Sequence, residues 1–131
     1  MPEFMLDTDT VSWALRGQGA VADRLLAHRP SQLCISSITL AELRFGADAK
    51  ASQKLHRLID TFVGPVAVMP FDEGAAGRFG PVANALARRG EPIGTFDTLI
   101  AAHAQSLRLT LVTNNMKHFQ RVAGLKTQNW V

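Results

Sequence analysis

An α/β domain with a central, mainly parallel sheet of four to five strands is the fold this sequence predicts. Short apolar runs at Phe4–Leu6, Gln32–Ile35, Val66–Met69 and Leu109–Val112 alternate with longer stretches of helical periodicity. The intervals between those runs are long enough for the helical crossovers that join parallel strands. A chain of 131 residues, 47% hydrophobic and 19% charged, suits one domain spanning 1–131, with a real core and a composition outside the disordered range.

Taken in order, Phe4–Leu6 is a buried strand that runs directly into Asp7-Thr8-Asp9. Val11–Arg16 reads as a short helix, broken at Gly17 and Gly19, and Val21–His28 as a second that ends before Arg29-Pro30. Gln32–Ile35 is the second strand. Ser36-Ser37 then opens a helix carrying Ile38, Leu40, Leu43 and Phe45. Ala51–Val63 places Leu55, Leu58, Ile59 and Phe62 on one side, an amphipathic pattern. Pro70 stops the strand Val66–Met69, and an Ala-rich helix follows from Asp72 to Arg89, closed by Gly90. Thr95 is the expected N-cap of a helix over Phe96–Leu107, after which Leu109–Val112 ends in Thr113-Asn114-Asn115. Lys126–Gln128 is a weak edge strand before Trp130.

The charge balance narrows the partners. A net charge of +3, with Lys and Arg spread along the chain, permits a phosphate-rich partner without requiring one. The single Cys34 lies in an apolar run and has no second cysteine to bridge, which points to a reducing cytoplasm. Glu3 and Asp7 interrupt the one early apolar run, so no signal peptide is expected. No run approaches the ~20 apolar residues that span a bilayer, and no membrane association is expected.

Sites in parallel sheets lie at the carboxyl ends of the strands. Asp7 follows the first strand, Glu42 sits in the helix after the second, and Asn115 follows the fourth. Asp97 lies in the first turn of the helix that feeds the fourth strand. It also shares a face with Ile100, Ala101 and Ala104, which turns it toward the interior. Four oxygen-bearing side chains, remote in sequence, thus converge on one edge. Clustered carboxylates repel, and a hard divalent cation offsets that repulsion. Oxygen donors without a Cys or His cluster favour Mg²⁺, or Mn²⁺, over Zn²⁺, and such a site suits phosphodiester chemistry.

At these residues the chain resembles the PIN-domain toxins of VapBC toxin–antitoxin modules. FMLDTDT is similar to that family's opening strand and first acid, ISSITLAELRFGA to the segment with the second, and IGTFDTLIAAHA to that with the third. LVTNNMKHF, followed by RVAGL and NW, is similar to the closing segment, so the resemblance covers nearly the whole chain. It implies a PIN-like three-layer α/β/α fold and a metal-dependent endoribonuclease acting on structured RNA such as tRNA. A VapB-type antitoxin would hold it inactive, and operator DNA would be reached only through that antitoxin. Carried over by position, the catalytic residues are Asp7, Glu42, Asp97 and Asn115, with Asp7, Glu42 and Asp97 as metal ligands. Asp9 and Thr113 would support them. Two departures from the family pattern stand out: Asp9 where many relatives carry Asn, and Asn115 where others carry Asp. A two-fold homodimer is the expected assembly.

Two other readings compete. Asp7-Thr8-Asp9 after a hydrophobic strand also resembles the nucleophile motif of haloacid-dehalogenase-type phosphatases, in which Asp7 attacks phosphate and Asp9 is the general acid–base. That reading leaves Glu42 and Asp97 without a role. A non-catalytic RNA-binding PIN domain is the second, and the retained oxygen donors weigh against it. Among peripheral residues, Arg44 is a candidate phosphate contact and Trp13 a candidate antitoxin anchor. His103 lies on a different helix face from Asp97 and is expected to pack. His118 and the Arg88-Arg89 pair are expected to face solvent.

Overall fold

Phe4–Leu6 (β1), Leu33–Ser36 (β2), Ala67–Met69 (β3), Thr110–Val112 (β4) and Thr127–Gln128 (β5) are the strands of the computed structural model, which describes residues 1–131. They form one sheet in the order β3-β2-β1-β4-β5, parallel at every pairing. The mainly parallel sheet expected from the sequence is therefore wholly parallel and five-stranded. The central strand is β1, with Met5 beside Cys34 on one flank and Leu111 on the other.

Parallel pairing obliges the chain to cross over between strands, and the helices do this: α1 (Thr8–Leu15), α2 (Val21–Leu26), α3 (Ser37–Ala49), α4 (Gln53–Val63), α5 (Glu73–Arg88), α6 (Thr95–Ser106) and the single turn α7 (Met116–Phe119). Successive strand side chains point to opposite faces, and the two cores divide accordingly. Met5, Cys34 and Leu111 join a cluster with Val82, Leu86, Ile100 and Phe119 from α5, α6 and α7. Leu6, Ile35 and Val112 join the other, with Val11, Leu43, Ile59 and Trp130. The result is three layers, helix on sheet on helix. α6 is the most deeply sunk helix, with Ile100, Ala101, Ala102 and Ala104 fully buried. Truncating Ile100 to Ala there should cost roughly 2–5 kcal/mol.

Several boundaries differ from expectation, each for a local reason. α1 begins at Thr8 rather than Val11, because the Asp7 carboxylate accepts the Thr10 N–H at 2.8 Å and caps the helix. Gly94, not Thr95, is the N-cap of α6, at φ 96, a backbone angle that glycine adopts without penalty. Gln32 belongs to a 3₁₀ turn instead of β2, its side-chain oxygen accepting the Arg29 N–H at 2.8 Å. Ser52 caps α4, so that helix starts at Gln53 rather than Ala51. No helix is long and apolar enough to cross a membrane.

Candidate active site

Asp7 lies where β1 becomes α1, 3% exposed. Its cap bond to Thr10 fixes the carboxylate at the carboxyl edge of the central strand, and the Asp7 N–H donates to the Val112 carbonyl of β4 at 3.0 Å. Burial pushes its carboxyl up to about 6, with the Asp9 charge adding to the rise, against hydrogen bonds from the Thr113 hydroxyl and the Thr10 N–H. The phosphatase reading still leaves Glu42 and Asp97, gathered at the same edge, without a role.

Glu42, on α3, receives the Thr8 hydroxyl at 2.6 Å, and the Thr39 hydroxyl lies 3.3 Å from that of Thr8. Burial raises its carboxyl above the usual range despite the Thr8 bond, and the charges of Asp97 and Asp9 add to the effect. Asp97 stands in the first turn of α6, its side chain 32% exposed, with His118 Nδ1 at 3.7 Å. Its carboxyl is also raised, first by burial and then by Asp9, with His118 acting in the opposite sense. Asp9 thus acts electrostatically on all three of the other acids.

The polar end of β4 completes the constellation. The Asn115 N–H donates to the Thr113 hydroxyl at 2.8 Å, leaving the hydroxyl proton free to serve Asp7. The Asn115 side-chain amide lies 2.8 Å from His118 Nδ1, the same ring nitrogen that faces Asp97 at 3.7 Å. The carboxyl edge therefore gathers Asp7, Asp9, Glu42, Asp97, Asn115 and Thr113, together with Thr8, which had no assigned role, and His118, which was expected to face solvent and instead stands beside Asp97 and Asn115. Thr8 was legible only as a neighbour of two acids. His118 becomes one through α7, a turn too short for periodicity to reveal.

The donor set fits a hard divalent cation. Every candidate ligand is an oxygen, and none of the ion pairs in the protein joins a Lys or Arg to Asp7, Asp9, Glu42 or Asp97. The acids repel one another with only His118, 3.7 Å from Asp97, to offset them, the setting a cation relieves. Their spacing is open: no three acidic, His or Cys side chains stand close enough to grip one ion as placed. Asp97 and Glu42, both more accessible than the anchored Asp7, would have to turn toward it to share an ion.

The peripheral candidates lie elsewhere. Arg44 turns away to α4, bonded to Asp60 at 2.5 Å and to the His56 carbonyl at 3.3 Å. Trp13 is half-buried on α1, with the Arg16 guanidinium 5.7 Å from its ring centroid. His103 packs, as expected: it is 1% exposed, its Nδ1 lies 2.8 Å from Ser36 Oγ, and its ring meets Phe71 edge-on.

The sequence profile of the PIN domain matches residues 4–125. The tRNA(fMet)-specific endonuclease VapC of Shigella flexneri is 38% identical over 131 residues, covering 99% of each chain. Among solved structures, DNA-bound VapBC from Salmonella typhimurium aligns with a TM-score of 0.90 and 36% identity over 100% of both chains. VapBC2 from Rickettsia felis, bound to a promoter DNA fragment, aligns with a TM-score of 0.88 and 31% identity over 98% of both chains. The chain belongs to the PIN-domain family and, within it, to the VapC ribonucleases of VapBC toxin–antitoxin modules.

Proposed function

We propose that this chain is the toxin of a VapBC pair and a Mg²⁺-dependent endoribonuclease that hydrolyses phosphodiesters of tRNA or another structured RNA. The observation that carries this reading is the set of four acids at the carboxyl edge with no Lys or Arg paired to them, in a protein of net positive charge. The tRNA activity named for the 38% identical Shigella relative supports the substrate class.

In this reading Asp7, Glu42 and Asp97 hold the cation, with Asp9 close enough to add charge. A Mg²⁺ or Mn²⁺ ion bound there supplies positive charge to the phosphodiester and acidifies water. Thr113 and the α1 cap keep Asp7 at one orientation, and Thr8 keeps Glu42 directed inward. Asn115 orients substrate or water through its amide, and His118 buttresses it.

The partners follow from the same surface. A cleft of about 230 Å³ runs from Thr8 and Glu42 past Leu15 to Leu55 and Leu58. It suits an apolar antitoxin segment that ends in a cationic side chain among the acids. Trp13 flanks this region on α1, and operator DNA is reached only through the antitoxin. A two-fold homodimer completes the assembly, with Phe45, 76% exposed on α3, available to a second copy.

Purified protein incubated with total RNA in Mg²⁺ should leave 5′-phosphate and 3′-hydroxyl ends, and EDTA should abolish cleavage. Cyclic phosphate ends persisting in EDTA would reject the mechanism. Intact RNA under both conditions would favour the non-catalytic domain.

A further inference from the structure

A second charged locus lies beside the acid cluster, and the nuclease reading gives it no role. Arg89 at the end of α5, Glu91 in the loop before α6, and Lys117, Gln120 and Arg121 at and after α7 line an open, wholly polar pocket of about 440 Å³. Three cations here face one carboxylate. Both guanidiniums address Glu91 only loosely, Arg89 Nε at 3.5 Å and Arg121 Nε at 3.8 Å. What fixes them is backbone: Arg121 donates to the Pro92 carbonyl at 3.3 Å, and Arg89 donates to the Arg121 carbonyl. The remaining N–H groups are free to meet an anion, and both side chains stay accessible, 45% for Arg89 and 25% for Arg121.

Position gives this pocket its meaning. Lys117 is bonded in sequence to His118, whose ring stands 3.7 Å from Asp97. The loop 90–94 that carries Glu91 leads directly into the α6 turn that carries Asp97. A strand laid across the acids therefore passes the arginines next. The acids repel a polyanion and cannot hold it, so affinity has to come from cations at their border, and guanidiniums anchored in advance lose little freedom on binding phosphate.

We propose that Arg89, Lys117 and Arg121 form a seat for a backbone phosphate of the RNA strand, flanking the bond to be cut, and that Glu91 weakens this seat by competing for the two guanidiniums. The proposal rests on the ribonuclease reading for the identity of the strand. Glu91 acts as a built-in counter-charge that keeps binding reversible.

The test is fluorescence anisotropy of a labelled single-stranded RNA over a salt series, in EDTA so that no cleavage intervenes. Arg89→Gln and Arg121→Gln should each weaken binding, and each should flatten the slope of log affinity against log salt by about 0.7, the value for one lost phosphate contact on a single strand. Arg89→Lys should retain most of the slope. Glu91→Gln should tighten binding, because the backbone anchors of both arginines survive it. Lys126→Gln, at the amino end of β5, should match the parent. Melting temperatures near the parent's would show that α7 stays docked in each variant. Parent-like slopes in both arginine variants, or weaker binding in Glu91→Gln, would overturn the seat while leaving the nuclease intact. If the parent fails to cleave RNA in Mg²⁺ yet shows these slopes, the seat stands and the nuclease reading falls. No binding by the parent removes both.

Discussion

Carboxylates on the α3–α4 face and carboxylates at the sheet's carboxyl edge have opposite surroundings. Asp60 and Asp48 are 63% and 73% exposed, yet each has a partner, Arg44 at 2.5 Å and His56 at 2.7 Å. Asp7, Glu42 and Asp97 are more enclosed, and their one cationic neighbour is His118, 3.7 Å from Asp97. Burial raises all three, and the charge of Asp9 reinforces it at every position. Paired exposed acids contribute little and cost little. Unpaired enclosed acids cost stability, which is offset only when something cationic arrives. Where a fold tolerates that cost, binding is the reason.

The largest effect is expected at Asp97. Asp97→Asn should lower RNA cleavage by roughly 100-fold or more, the scale on which removing one preorganised electrostatic group acts. It should leave the metal-free fold intact or more stable, and Mg²⁺ should raise its melting temperature less than the parent's. Equal metal-induced shifts in the two proteins would remove Asp97 from the ligand set.

At Asp7 the effect depends on pH. A carboxyl raised in the folded state from 3.8 to about 6 binds more protons folded than unfolded. The contribution of Asp7 to stability in EDTA should therefore be fullest below pH 4, be lost as pH rises through 6, and level off above. Asp7→Asn keeps a capping side chain and should stabilise the metal-free protein at pH 8 by up to about 3 kcal/mol, a gain that vanishes near pH 4. Urea denaturation at the two pH values measures it, and a gain independent of pH would mean that burial of the charge is not its origin.

Smaller effects are expected at the other acids. Asp9→Asn should keep most cleavage, within about tenfold of the parent, because one carboxamide oxygen remains and Asp7, Glu42 and Asp97 are untouched. Complete loss, together with turnover of small phosphate monoesters by the parent, would revive the phosphatase. Asp60→Asn, on the paired face, should change unfolding stability by about 1 kcal/mol or less and cleavage not at all.

How far these differences could be read beforehand depended on length scale. The strand runs and the buried face of α6 are written as repeated apolar residues, and Ile100, Ala101 and Ala104 are all buried as their spacing implies. The acids were legible because strand ends and helix starts carry position as well as type. Contacts between non-adjacent segments were not. The Asp7 cap that moves α1 to Thr8, the Thr8–Glu42 bond and the His118–Asn115 pair each depend on one side chain's orientation, which no period records. Arg44 looked available because its partner Asp60 lies sixteen residues away on another helix.

The place of β1 in the sheet has a consequence for biosynthesis. The first strand made is the central one, and its flank stays unfilled until Thr110–Val112 is available to pair with Phe4–Leu6. The Asp7 N–H waits for the Val112 carbonyl, and Thr113, Asn115 and His118 arrive only afterwards. Contacts this distant form slowly, and those residues must first clear the ribosome. A chain still being translated therefore holds four acids and no assembled site. The nuclease can switch on only once Thr110–Val112 has docked beside Phe4–Leu6, which leaves the antitoxin time to be present when that strand pairs.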